Sequence, residues 1–212
     1  AALNPDVEKW FMKVKLPFTV GYGMTEAAPL LAYEDWWEFA PKSCGKCVDS
    51  VEIRIDSEDP YNKVGEIQAK GISLMSGYYK NEEATAAAFT EDGWMRTGDL
   101  GLIDKKGNIF IKGRSKNMIL SANGQNIYPE EIEAAVNNQP YVIESVVIDR
   151  GARLVALVYT DSEKMKADAV DIEEFKKNLM LEVNRSMPAY SKVNIVEIMD
   201  QPFEKTPKMS IK

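Results

Sequence analysis

The sequence predicts an α+β fold in two parts, a β-rich first half running to Gly113 and then a small module of alternating helix and strand. Three observations carry this. Apolar residues recur with period two between about 41 and 112. After Gly113 the texture changes to amphipathic stripes between short strands. The 212 residues are 45% apolar and 28% charged, about one or two domains' worth of material and enough to bury cores.

Taken in order, Asn4-Pro5-Asp6 caps and opens a short helix, and a strand of β-formers is expected to follow up to Thr19 and Val20, stopping at a glycine pair. Val51, Ile53 and Ile55 alternate with Glu52 and Arg54, and Ile67 and Ala69 with Glu66 and Gln68, so each strand has one buried face. N-E-E-A-T-A-A-A-F reads as a helix behind an Asn cap. Leu100 to Ile103 and Ile109 to Lys112 form a hairpin across D-K-K-G-N, whose glycine and asparagine are expected at positive-φ positions. In the second half Pro129 starts a helix with Ile132, Ala135 and Val136 on one stripe and acids in its first turn. Strands follow at Val142 to Ile148 and Leu154 to Tyr159. Another helix carries Ile172, Phe175, Leu179 and Val183, and a last strand runs near Val193 to Ile198.

Composition removes whole classes of function. Lys and Arg total 26 against 33 acids, a net −7 with no basic run, so nucleic acid is not an expected partner. There is no histidine, which excludes a Ser-His-Asp relay, a His-bearing zinc site and an imidazole shuttle within this chain. Cys44 and Cys47 fall two ligands short of a structural zinc site and read as small buried or half-buried residues. The low cysteine content, the lack of a signal-peptide pattern and the lack of an apolar run near 20 residues lead to a cytoplasmic expectation. Contact of the whole protein with a membrane stays open. The missing initiating Met and the abrupt basic end at Lys212 suggest a piece of a longer chain.

Four segments have a composition suited to binding rather than packing. Gly21-Tyr22-Gly23-Met24-Thr25-Glu26 offers close backbone approach at Gly23, a stacking ring at Tyr22, a hydroxyl at Thr25 and a hard oxygen for Mg²⁺ at Glu26; it also reads as a plain strand-to-loop turn. Trp94-Met95-Arg96-Thr97-Gly98-Asp99 places a carboxylate after a glycine, as a ribose acceptor or a turn aspartate. Gly113-Arg114-Ser115-Lys116-Asn117 is polar and basic at the junction, as a ligand contact or a linker. Ser121 to Asn126 reads as a flexible polar loop before the helix of Pro129.

In this order and spacing the segments resemble the adenylate-forming superfamily of acyl-CoA synthetases, peptide-synthetase adenylation domains and luciferases. The matching stretches are Y-G-M-T-E at 22 to 26, G-E-I-Q-A-K-G and S-G-Y within 65 to 78, W-M-R-T-G-D-L-G at 94 to 101, and G-R-S-K-N-M-I at 113 to 119 continuing to N-I-Y-P-E-E-I-E at 126 to 133. They extend over essentially the whole chain and look most like the long-chain fatty acyl-CoA ligase branch. The resemblance implies the C-terminal part of a large AMP-binding domain at 1–113 and a mobile C-terminal α+β domain at 114–212. The implied reaction joins a carboxylic acid to the α-phosphate of ATP, releasing pyrophosphate, and passes the acyl group from AMP to coenzyme A, with Mg²⁺ as the metal.

Residue by residue, the resemblance gives Tyr22 and Gly23 to the adenine side of the nucleotide site, Thr25 to the α-phosphate, and Glu26 to Mg²⁺ as a catalytic residue. It gives Asp99 to the ribose hydroxyls, Arg114 to the ribose and phosphate, Lys116 to the hinge, and Gly124 to the loop that meets the pantetheine arm of coenzyme A. Two departures bear on this. The Ser/Thr/Gly-rich phosphate loop expected upstream of Tyr22 is not found in residues 1–21, so most of the large domain is expected on a missing N-terminal part of the same chain, and the isolated chain is expected to be a poor or inactive enzyme. The terminal Gly-Lys of the family falls on Met209 and Ser210, leaving Lys208 as the catalytic candidate, displaced by about 6 to 7 Å along an extended chain, against a plain solvated basic tail. Another acyl or aryl acid activator, or a non-catalytic interaction module, are the alternatives.

Overall fold

The computed structural model describes residues 3–121, 123–206 and 211, and the chain divides into two compact units, 1–116 and 117–212. The first begins with α1 (Pro5–Lys13), where the Asn4 side chain accepts from the amides of Asp6 and Val7 and proline occupies the first turn. The strand expected up to Val20 is absent. Lys15 has φ 56° and Pro17 lacks a ladder donor, and both interrupt an extended run. Pairing starts instead at β1 (Tyr22–Gly23), which is antiparallel to β2 (Leu30–Tyr33), itself paired with β3 (Lys46–Cys47).

A four-stranded antiparallel sheet follows, in the order β4 (Val51–Asp56), β5 (Gly65–Gly71), β6 (Met95–Ile103), β7 (Ile109–Arg114), with α2 (Glu82–Ala88) inserted behind its Asn81 cap. Ile67, Ala69, Met95 and Ile109 fill its core. Alternation fails at Gln68, which is buried although its position predicts an outward side chain; Arg54 Nε donates to its Oε1 at 2.7 Å and its Nε2 donates to Asp56 at 3.2 Å. At the β6–β7 turn only Gly107 of the expected pair has positive φ. Asn108 instead donates through its side chain to Asp104, whose other oxygen receives the amides of Lys106 and Asn108.

In the second unit β8 (Ile119–Leu120) and β9 (Asn126–Ile127) form a two-residue ladder. The polar segment read as a loop connects these two strands, and across it the Ser121 amide donates to the Gln125 carbonyl at 2.9 Å while the Ser121 hydroxyl accepts from the Gln125 amide. Next come α3 (Pro129–Asn137), β10 (Val142–Asp149), β11 (Leu154–Thr160), α4 (Ser162–Ala167), α5 (Ile172–Ser186) and β12 (Ile195–Met199). β11 is central, antiparallel to β10 and parallel to β12. Ile132 and Val136 of α3 and Phe175, Leu179 and Val183 of α5 close over Ala156 and Val158 in one core. Ile172, expected on the same stripe, is 55% exposed because it is the first residue after the Asp171 cap, ahead of the packed turns.

Candidate nucleotide site

The site is built from β1, β6 and the end of β7. Asp99 is buried in β6, and its two carboxylate oxygens are held separately: the Tyr22 hydroxyl donates to Oδ2 at 2.8 Å, and Arg114 Nε to Oδ1 at 2.7 Å. The register explains Asp99's position. Glu66 stands opposite Leu100 and Gln68 opposite Arg96, so three β6 residues, Thr97, Gly98 and Asp99, face the single residue Ile67. Such a bulge re-aims a side chain that regular alternation would send elsewhere. The Thr97 hydroxyl spans the gap, donating to the Ile67 carbonyl at 2.7 Å and accepting from the Asp99 amide at 3.1 Å. Gly98 takes φ +71°, the left-handed region where a side chain is strained.

Tyr22 is itself buried, with 6% of its surface exposed, so its polar end rather than an open ring face is what meets Asp99. Burial raises its phenol well above the ordinary value and the Asp99 charge adds to the rise, so Tyr22 stays a donor throughout the physiological range. Gly23 has a local reason for being glycine: a Cβ there would sit 1.9 Å from the Pro29 carbonyl oxygen. Thr25 is exposed at the start of a single 3₁₀ turn. Glu26 is half-buried in that turn; its carboxylate accepts from the Tyr78 hydroxyl at 3.0 Å and its carbonyl from the Met75 amide at 2.7 Å. Thr97 and Tyr78 lie inside the quoted sequence segments, but their partners are far away in sequence, so no local pattern marks their roles.

Three candidates remain, Lys116, Gly124 and Lys208. Lys116 is exposed at the last position of the first unit. Gly124 has φ +74° with nothing within 4 Å of the place a Cβ would occupy, so its conformation rather than crowding calls for glycine. Lys208 lies outside the described residues; just before it, Glu144 holds the chain by accepting from the Phe203 amide and pairing with Lys205 at 2.5 Å. Cys44 is buried and Cys47 half-buried, and desolvation raises both thiols. Among the described residues no three His, Cys, Asp or Glu side chains cluster as a metal site, and no helix is long and apolar enough to cross a membrane.

The first unit thus presents a bulged, arginine-paired carboxylate next to a tyrosine, and a separate α+β unit follows it in the chain. The chain belongs to the AMP-binding enzyme family: residues 1–79 match the AMP-binding enzyme and residues 116–212 the AMP-binding enzyme C-terminal domain. It is 37% identical over 191 residues to a long-chain-fatty-acid–CoA ligase of Bacillus subtilis strain 168, covering 84% of this chain and 33% of the relative. It is 32% identical over 219 residues to 4-coumarate–CoA ligase 3 of Oryza sativa subsp. japonica, covering 94% and 38%. Among solved structures, the O-succinylbenzoate coenzyme A synthetase of Bacillus subtilis in complex with ATP and magnesium ion superposes with a TM-score of 0.83 at 25% identity, over 99% of this chain and 43% of that one. The chain therefore spans about a third of the length of these curated relatives.

Proposed function

We propose that this chain supplies the ribose-binding edge and the mobile C-terminal domain of an AMP-forming acid–CoA ligase, with a long-chain fatty acid as the acid. The observation that carries the reading is the buried Asp99 carboxylate fixed between the Tyr22 hydroxyl and Arg114. A buried carboxylate costs free energy unless it is paired, and one pre-positioned by two donors keeps lone pairs for the vicinal hydroxyls of a ribose. Arg114, whose side chain is 62% exposed, holds Asp99 and brings a permanent positive charge to the place where a phosphate would lie. Thr25, exposed, is the hydroxyl for the α-phosphate, and Tyr22 and Gly23 border the adenine side.

Glu26 is the residue that would hold Mg²⁺. A half-buried carboxylate suits a cation that keeps waters and takes phosphate oxygens for the rest of its shell. When bound, the ion neutralises charge on the phosphates. Tyr78 orients the Glu26 carboxylate for that task. The functional parts are 1–113 and 114–212, with Lys116 as the hinge at which one or two backbone dihedrals absorb a domain rotation. Gly124 sits at the tip of the β8–β9 hairpin, a side-chain-free approach for the pantetheine arm of coenzyme A. The rest of the large domain and the acyl pocket come from upstream polypeptide of the kind the longer relatives carry.

The test is ATP-dependent pyrophosphate release by the chain joined to its native upstream polypeptide, assayed with palmitate, 4-coumarate and O-succinylbenzoate. Release is expected with palmitate, and Asp99→Ala should lower kcat/KM about 10- to 100-fold, the range for losing hydrogen bonds to a charged group. Turnover of 4-coumarate or O-succinylbenzoate but not palmitate would replace the fatty acid with that acid. Release unaffected by Asp99→Ala would remove the ribose assignment.

A further inference from the structure

We propose that Glu66 is a positioning residue for Asp99, acting through the backbone of the β6 bulge; this rests on Asp99 being the ribose acceptor. The register leaves Thr97, Gly98 and Asp99 facing one residue of β5, so the regular ladder is interrupted where the functional carboxylate is held. Side chains make the cross-strand contacts there instead. Glu66 Oε1 accepts from the Gly98 amide at 3.2 Å, while Oε2 accepts from Arg96 at 3.0 Å. One carboxylate therefore grips the bulge at two points, one residue and three residues before Asp99. Thr97 grips it at a third, through the Ile67 carbonyl.

The Glu66 side chain is 18% exposed, enough shielding for its charge to strengthen both bonds. Gly98 is the residue whose backbone must stay at φ +71° for the chain to turn into Asp99. Its carbonyl accepts from the Ser115 amide at 2.9 Å. The Gly98 peptide groups are thus pinned from β5 on one side and from just beyond β7 on the other. If the Glu66 contact is lost, the bulge can relax, and Asp99 Oδ2 loses its alignment with the Tyr22 hydroxyl even though neither residue has changed. The pairing also gives a role to two charges, Glu66 and Arg96, that would otherwise read as a surface ion pair of small worth.

The test titrates the protein with AMP and with 2′,3′-dideoxy-AMP, in the wild type and in Glu66→Ala, Glu66→Gln and Asp99→Ala. The wild type should prefer AMP by about tenfold or more, and Asp99→Ala should abolish that preference. Glu66→Ala should lose most of it, and Glu66→Gln should keep a larger share because its amide oxygen still accepts from Gly98. A full preference in Glu66→Ala beside a lost one in Asp99→Ala overturns the clamp and leaves the ribose assignment standing. A preference surviving Asp99→Ala overturns the ribose assignment, and the clamp's purpose with it.

A readout without nucleotide keeps the proposal exposed. The Gly98 amide should exchange with solvent about tenfold faster in Glu66→Ala, with Glu66→Gln in between. Exchange unchanged from wild type overturns the clamp, and the near-isosteric Glu66→Gln carries this measurement if the alanine variant does not fold.

Discussion

The two units bury different things. In the second, the buried polar side chains among the described residues are those of Ser145, Thr160 and Ser191, set in a core of Ile132, Val136, Phe175, Leu179 and Val183 against a three-stranded sheet. In the first, charged and amide groups go inside as well: Glu8, Gln68, Asn108 and Asp99. Hydroxyls are satisfied by a nearby carbonyl, whereas buried carboxylates need dedicated donors. Glu8 has the Lys42 amide and Asp99 has Tyr22 and Arg114. The first unit is therefore organised around polar constraints, and the second around apolar packing.

The largest effect should come from cutting the second core. Ile132→Ala, at a fully buried position, should cost about 2 to 5 kcal/mol of unfolding free energy for residues 117–212. All four tryptophans (Trp10, Trp36, Trp37 and Trp94) lie in the first unit, so tryptophan emission should hardly register that loss while amide exchange in α3 and α5 does. A shift of the tryptophan transition as large as that of α3 would mean the units do not unfold independently.

Next in size is Tyr22→Phe, which leaves the buried Asp99 oxygen without its phenol donor. It should cost about 1 to 3 kcal/mol, read by tryptophan emission during urea unfolding. No change in midpoint would show that the hydroxyl contributes nothing to holding the carboxylate.

Acid should separate the units more gently. Arg54 and Thr90 hold Asp92 below the ordinary carboxylate range, and at Asp104 the raising effect of desolvation is outweighed by donors from Asn108 and Lys106. Carboxyls with lowered folded-state values stabilise at neutral pH, and that stability is lost as pH falls below the ordinary value of 3.8. Glu133 in the second unit goes the other way. Burial raises it, neighbouring Glu130 adds to the rise, and the Val147 amide opposes both. Its contribution is present below its ordinary 4.5 and is lost as pH rises through the raised value. The tryptophan-bearing unit should accordingly lose stability first on acidification. Glu133→Gln should flatten the pH dependence of the second unit between acid and neutral conditions, and a slope equal to wild type would contradict this.

The smallest effect expected is at the thiols. With Cys44 and Cys47 both raised by burial, iodoacetamide should label them slowly at pH 7 and readily in urea. Fast labelling of the native protein would show that this part of the first unit opens.

What the sequence discloses differs between the units for the same reason. Helical spacing in 129–136 and 172–183 marks the core of the second unit almost residue by residue, because apolar burial has a period. α4 escapes notice because six residues are too few to display one. In the first unit, motifs mark Tyr22 and Asp99 but not their contact, since 77 residues separate the two and only the sheet brings them together. The bulge at Thr97 to Asp99 is likewise invisible along one strand, being a property of register against β5. Gln68 reads outward until the Arg54 donor that lets it be buried is known.

The most direct measurement is a crystal structure of the protein with AMP. Ribose hydroxyls within about 2.5 to 3.0 Å of the Asp99 carboxylate, with Arg114 still bound to it, are what the account predicts. AMP bound elsewhere, with Asp99 contacted only by Tyr22 and Arg114, would contradict it.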